Sequence, residues 1–167
     1  PWNVLQAVQL EPVTSKDSKD ELYRSYIGVI TGELLYQLYK RWDKRLLEDN
    51  VRVFLGLGGK INSQLISTIE KDPENFFAYN NGLTATAQYI EYDSDRGCIA
   101  LMKNLHIVNG AQTTGAIFTA KNQNPNLDLS KLFVQIKITE VQEPRISIEL
   151  LPKITRFSNS QNKLNTS

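Results

Sequence analysis

Four short stretches concentrate side chains able to hold a ligand: "NVR" at Asn50 to Arg52, "YNNGLT" at Tyr79 to Thr84, "IVNGAQTT" at Ile107 to Thr114 and "TRFSNSQN" at Thr155 to Asn162. Their common group is the carboxamide. Asn and Gln present a donor and an acceptor side by side without charge, so they can grip a base edge, a peptide or a loop backbone. They do not titrate near neutral pH, which suits them to binding and orienting and leaves them poor acids or bases. Asn80, Asn81, Asn109, Gln112, Asn159, Gln161 and Asn162 are the candidate polar contacts, with Thr113 beside them. Arg52 and Arg156 are the candidate charges, since a guanidinium fork binds phosphate or carboxylate through two bonds. An ion pair with Asp49 or Glu149 is the competing use of these two arginines.

Gly82 and Gly110 each follow an asparagine. Asn-Gly is ordinary turn chemistry, because glycine enters the left-handed region freely and asparagine tolerates it. The second pair has a further use. "LHIV" reads as a strand, and a helix opening after Gly110 leaves the backbone N–H groups of Ala111, Gln112 and Thr113 without intrahelical partners, an arrangement that favours anions. Neither the lysine of a Walker loop nor the glycines of a dinucleotide fingerprint is present, so no named nucleotide motif is met.

The elements that must position these residues follow from periodicity. The run from Trp2 to Val13 suits a strand and "TSKDSKD" a solvated connection. "LYRSYIGVI" reads as a strand to Ile30, with Thr31 capping a helix whose apolar face is Leu34, Leu35, Leu38, Tyr39 and Trp42. "NVRVFLGLGGK" is expected to carry a strand into a glycine-rich turn. Ile61, Leu65, Ile66 and Ile69 mark a helix that Pro73 stops. "FFAYNNGLTATAQYIEYD" reads as a half-exposed strand, "SDRG" as a turn, and "CIALMKNLHIV" as another strand or a pair of short ones. A short helix is expected after Gly110, then a strand at "LFVQIKITEV". A last helix starts at Pro144, with a kink or break at Pro152. Interspersed helices and strands predict an α+β domain with a mixed sheet.

Composition bounds the partners. A chain of 167 residues with 41% hydrophobic content suits one domain spanning 1–167. Lys plus Arg total 19 against 18 Asp plus Glu, so no general field draws in nucleic acid or an anionic membrane, and any anion site must be local. The single cysteine, Cys98, supplies neither a disulfide framework nor a zinc knuckle and fits a cytoplasmic setting. No stretch reaches the roughly 20 apolar residues of a membrane span. Pro1 at the start, with Met102 the one methionine, suggests a fragment of a longer protein. His106, Cys98 and the Asp93–Asp95 pair read as structural, as do Phe76, Phe77 and Tyr79, with Tyr79 the alternative stacking surface.

Taken in order and at their intervals, "NVRVFLG", "FFAYNNGLT", "IVNGAQTTGAI" and "ITRFSNSQN" resemble the core signature of the AIPR family, the bacterial abortive-infection phage-resistance proteins. The resemblance spans roughly Leu22 to Asn162. It implies a role in antiviral defence within a longer polypeptide and brings no defined biochemical activity, catalytic residue or cofactor with it. Ala111 stands where relatives often carry glycine or cysteine, and Pro152 interrupts a helix expected to be continuous in them. A weaker similarity joins "IVNGAQTTGAI" to the strand, Asp-Gly-Gln-His-Arg and helix element of ParB-like proteins. In that comparison Asn109 replaces the acid and Thr113 the basic residue.

Three functions are compatible with these residues. The first is a domain that binds nucleic acid or a nucleotide through the amide and glycine motifs. The second is a metal-dependent nuclease or nucleotide-modifying toxin, although none of the four motifs carries a carboxylate at its centre to hold a metal. The third is a structural or oligomerisation module that pairs with the remainder of the parent polypeptide or with a second copy, its amides capping helices and bridging loops.

Overall fold

The computed structural model describes residues 4–42, Leu46 and 63–160. Two periodicities organise them. Alternation of apolar and polar residues produces the strands: β1 (Leu5–Gln9), β2 (Val13–Thr14), β3 (Glu21–Thr31), β4 (Leu83–Ala87), β5 (Tyr89–Asp93), β6 (Cys98–Lys103), β7 (His106–Asn109) and β8 (Phe133–Glu140). Helical spacing produces α1 (Gly32–Trp42), α2 (Ser63–Lys71), the single turn α3 (Phe76–Tyr79), α4 (Ala111–Gln123) and α5 (Pro144–Ser160).

The strands form one mixed sheet in the order β5-β6-β1-β3-β8-β4-β7, with β2 pairing β3 to the side. Neighbours are antiparallel except β4 and β8, which run parallel with Leu83 opposite Ile136 and Thr84 opposite Lys137. This α+β architecture with a mixed sheet is the one predicted from the interspersed pattern.

Strand pairing sorts the side chains onto two faces. One face carries Tyr26 and Ile30 of β3, Ala85 of β4, and Val134, Ile136 and Ile138 of β8, all buried. Leu35 of α1, Ile69 of α2, Phe76 of α3, and Ala116, Ile117 and Ala120 of α4 complete that core. Tyr39 of α1 meets Phe118 of α4 edge-on at 4.5 Å between ring centroids, fastening the helical layer. The other face carries Tyr23, Ser25, Thr84, Lys137 and Thr139.

Among the described residues one carboxylate lies inside. Glu140, at the end of β8, accepts a hydrogen bond from Ile90 N at 2.5 Å and another from Gln142 Nε2 at 3.1 Å. It thereby satisfies a buried backbone donor at the start of β5. Burial of Tyr26 raises its phenol above the usual value, partly opposed by the bond that Gln9 Nε2 donates to it at 3.0 Å.

Thr31 caps α1 as expected, its Oγ1 accepting from Leu34 N at 3.1 Å. Several expectations need correction. The strand drawn from Trp2 to Val13 is two strands separated at residues 10–12, where Pro12 has no N–H to donate. "FFAY" is a helical turn preceding β4. Of its aromatic residues only Phe76 enters the core, while Phe77 and Tyr79 are exposed. The helix after Gly110 is not short but runs for 13 residues. Small and apolar residues surround it on most sides and blur its periodicity, as its burial between the sheet and two helices requires. Finally, α5 is continuous through Pro152. The carbonyl that loses its donor belongs to Ile148, which is 79% exposed, so water can replace the missing bond.

Candidate functional site

Two of the predicted turns interlock. Gly110 ends β7 and opens α4 with φ +109°, and Gly82 precedes β4 with φ +83°. A Cβ on Gly110 would run into Leu83 Cδ2 and lie 3.3 Å from Gly82 O, and one on Gly82 would lie 2.5 Å from Gln135 O. Both the left-handed backbone and the close approach therefore require glycine. Asn80 holds the two turns together. Its Oδ1 accepts from Gly82 N and its Nδ2 donates to Thr113 Oγ1, each at 2.8 Å. Thr114 closes the first turn of α4, its backbone N donating to Gly110 O at 3.0 Å and its Oγ1 donating to the same oxygen at 3.2 Å.

The third motif joins through a reciprocal clasp. Asn109 Nδ2 donates to the Ser158 carbonyl at 2.8 Å, and Asn159 Nδ2 donates to the Val108 carbonyl at 3.3 Å. An amide from the end of β7 and one from the end of α5 thus each bind the other's backbone. No residue of α5 is fully buried, and this pair of bonds ties that helix to the sheet beside half-buried residues such as Leu151 and Ile154.

Between the polar sheet face, the interlocked turns and α5 lies an open cleft of about 1090 Å³. Of the predicted site residues, Asn80, Asn81, Gly82, Asn109, Gly110, Gln112 and Thr113 line it, together with Ala111. Asn159 stands behind it in the clasp. Arg156 is not among the lining residues; its guanidinium lies over the Phe157 ring at 4.7 Å from the centroid. Glu149, considered as its partner, pairs with Lys153 at 3.8 Å instead. Arg52, Gln161 and Asn162 lie outside the described residues.

Sequence reasoning missed several lining groups. Lys137 and Lys153 supply the positive charge, while Ser25 and Thr139, bonded Oγ to Oγ1 at 2.9 Å, and Thr84 supply hydroxyls. Phe157, equally missed, and Tyr79, weighed from the sequence as an alternative stacking surface, place aromatic rings there, 57% and 67% exposed. Alternation in "VQIKIT" shows that Lys137 points away from Ile136 and Ile138, but nothing local tells that its side of the sheet faces a cleft. No carboxylate is among the described residues lining it. The cleft is thus a hydrogen-bonding, mildly cationic surface with apolar rings at hand, chemistry suited to an anionic ligand that also carries flat groups.

Cys98 is buried, Asp93 Oδ1 accepts from the N–H groups of Asp95 and Arg96 at 3.1 Å in a turn, and His106 is exposed on the edge strand β7. Among the described residues no group of three His, Cys, Asp or Glu side chains is placed to hold a metal ion, and no helix is long and apolar enough to cross a membrane.

The family model described as AIPR protein matches residues 47–167, the larger part of the chain, and the chain belongs to that family. Membership suggests a role in phage abortive infection. No curated protein and no solved structure matches the chain; the ParB-like likeness rests on sequence alone.

Proposed function

We propose that this AIPR-family chain is one domain of an abortive-infection protein and that its cleft binds nucleic acid or a nucleotide. The observation that carries the reading is the composition of the cleft: two lysines, a set of amides and hydroxyls, and no carboxylate among the described lining residues. In a chain of nearly balanced charge, 19 basic against 18 acidic residues, these lysines mark the surface an anion would seek, Lys137 foremost, since Lys153 also has Glu149 at 3.8 Å. The start of α4 adds to it, because Ala111, Gln112 and Thr113 line the cleft and belong to the first turn of that helix.

The amides divide between two tasks. Asn80, Asn109 and Asn159 are committed to the interlocked turns and the clasp. These bonds support the structural reading for those three side chains. Asn81 and Gln112 are exposed at the cleft, where they are available to a ligand.

Calorimetric titration at low salt with DNA, RNA and nucleotides tests the proposal. Binding should weaken as salt rises, and Lys137→Ala with Lys153→Ala should flatten that dependence by about one unit of slope for each lysine that meets a phosphate. Absence of association with every one of these ligands would refute it.

A further inference from the structure

Two aromatic rings bordering the cleft are mostly exposed. Phe76 shows that the local sequence can bury a ring completely, yet Tyr79, three residues later, is left 67% exposed, and Phe157 of α5 is 57% exposed. They come from separate walls, the turn leading into β4 and the helix α5, and both border the same polar space. Phe157 is backed by the Arg156 guanidinium at 4.7 Å from its centroid, which adds a cation beside an exposed ring. Exposed aromatic faces beside lysines and amides form the pattern by which unpaired bases are held: rings stack on the base, amides meet its edge and cations follow the backbone.

Size and charge narrow the ligand further. At about 1090 Å³ the cleft stands at the upper end of the range of about 300–1,000 Å³ usual for small-ligand sites, with room for more than one flat group. Its two lysines stand on different elements, Lys137 on β8 and Lys153 on α5. A duplex keeps its base faces stacked inside and offers none to Tyr79 or Phe157, whereas a single strand offers them all.

Resting on the reading given under Proposed function, we propose that the ligand is a single-stranded stretch of nucleic acid, one base stacked on Tyr79 and another on Phe157. Asn81 and Gln112 meet base edges, and Lys137 and Lys153 meet the phosphates.

Fluorescence anisotropy of the 167-residue chain with labelled single-stranded DNA and RNA homopolymers tests this, with the corresponding duplexes and nucleoside triphosphates as competitors. Single strands should bind and the other two should compete weakly. Tyr79→Ala and Phe157→Ala should each weaken binding about 5- to 150-fold, the range expected for one stacked base, while Tyr79→Phe and Phe157→Tyr should retain it. Both rings are exposed, so circular dichroism should show these variants folded. If duplex or triphosphate competes as well as single strand, or if both alanine variants bind normally, the single-strand proposal fails while the broader reading stands. If none of the nucleic acids or nucleotides binds, both fail. Comparison of DNA with RNA then shows whether the sugar hydroxyl contributes.

Discussion

The two faces of the sheet are made from alternate residues of the same strands, yet they meet different surroundings. On β8, Val134, Ile136 and Ile138 pack beneath α1, α2 and α4, while Lys137 and Thr139, in alternation with them, line the cleft under α5. Helix α4 buries Thr113, Thr114, Gly115, Ala116, Ile117 and Ala120, and α5, although longer, has only half-buried apolar residues such as Leu150, Leu151 and Ile154 and is tied down by amide-to-carbonyl bonds. One sheet thus serves two ends. Apolar burial on one face supplies the stability that lets the other remain polar, open and lightly covered.

The largest effects should therefore come from the helical face. Phe76→Ala should cost about 3–5 kcal/mol in chemical denaturation by leaving a cavity at a fully buried ring. The contrast between the faces breaks if an alanine at the exposed Tyr79 costs as much. Next comes the seam, where Gly110→Ala forces a Cβ onto Leu83 at a left-handed backbone. The backbone strain alone should lower stability by about 1–3 kcal/mol in thermal melts. Asn109→Ala removes one half of the clasp and should cost about 0.5–1.5 kcal/mol. Its clearer signature is faster amide exchange along α5 with α4 unchanged; equal exchange in both helices would show that other contacts hold α5.

The smallest effect is one of pH. Because burial favours the neutral phenol of Tyr26, its contribution is fully present below the unfolded phenol value of about 10 and is lost as pH rises through the raised folded value. The stability difference between wild type and Tyr26→Phe should shrink as alkali is added above that point. A constant difference would show that the phenol is not held in its neutral form by the fold.

Much of this was legible in the chain. The alternation of "VQIKIT", the cap at Thr31 and the turn at Gly110 are local signals, settled by bond geometry and side-chain spacing over a few residues. The four amide motifs, and through them the family, were equally plain in residue order. Legibility failed where a feature depended on distant surroundings. Pro152 marked a break that exposure of its turn made unnecessary, and the small residues of α4 concealed the length of a helix buried on most sides.

The amino-acid sequence alone thus determined which side chains point opposite ways, where glycine turns fall and which polar groups were available to bind. Only the tertiary structure decided that Asn109 meets Ser158, that Asn80 and Lys137 line the same cleft with them, and that Tyr79 and Phe157 border that space. The reason is physical: β4 lies beside β8 and α5 returns to the end of β7 through pairings between residues about fifty positions apart, and no local preference encodes where such distant segments converge.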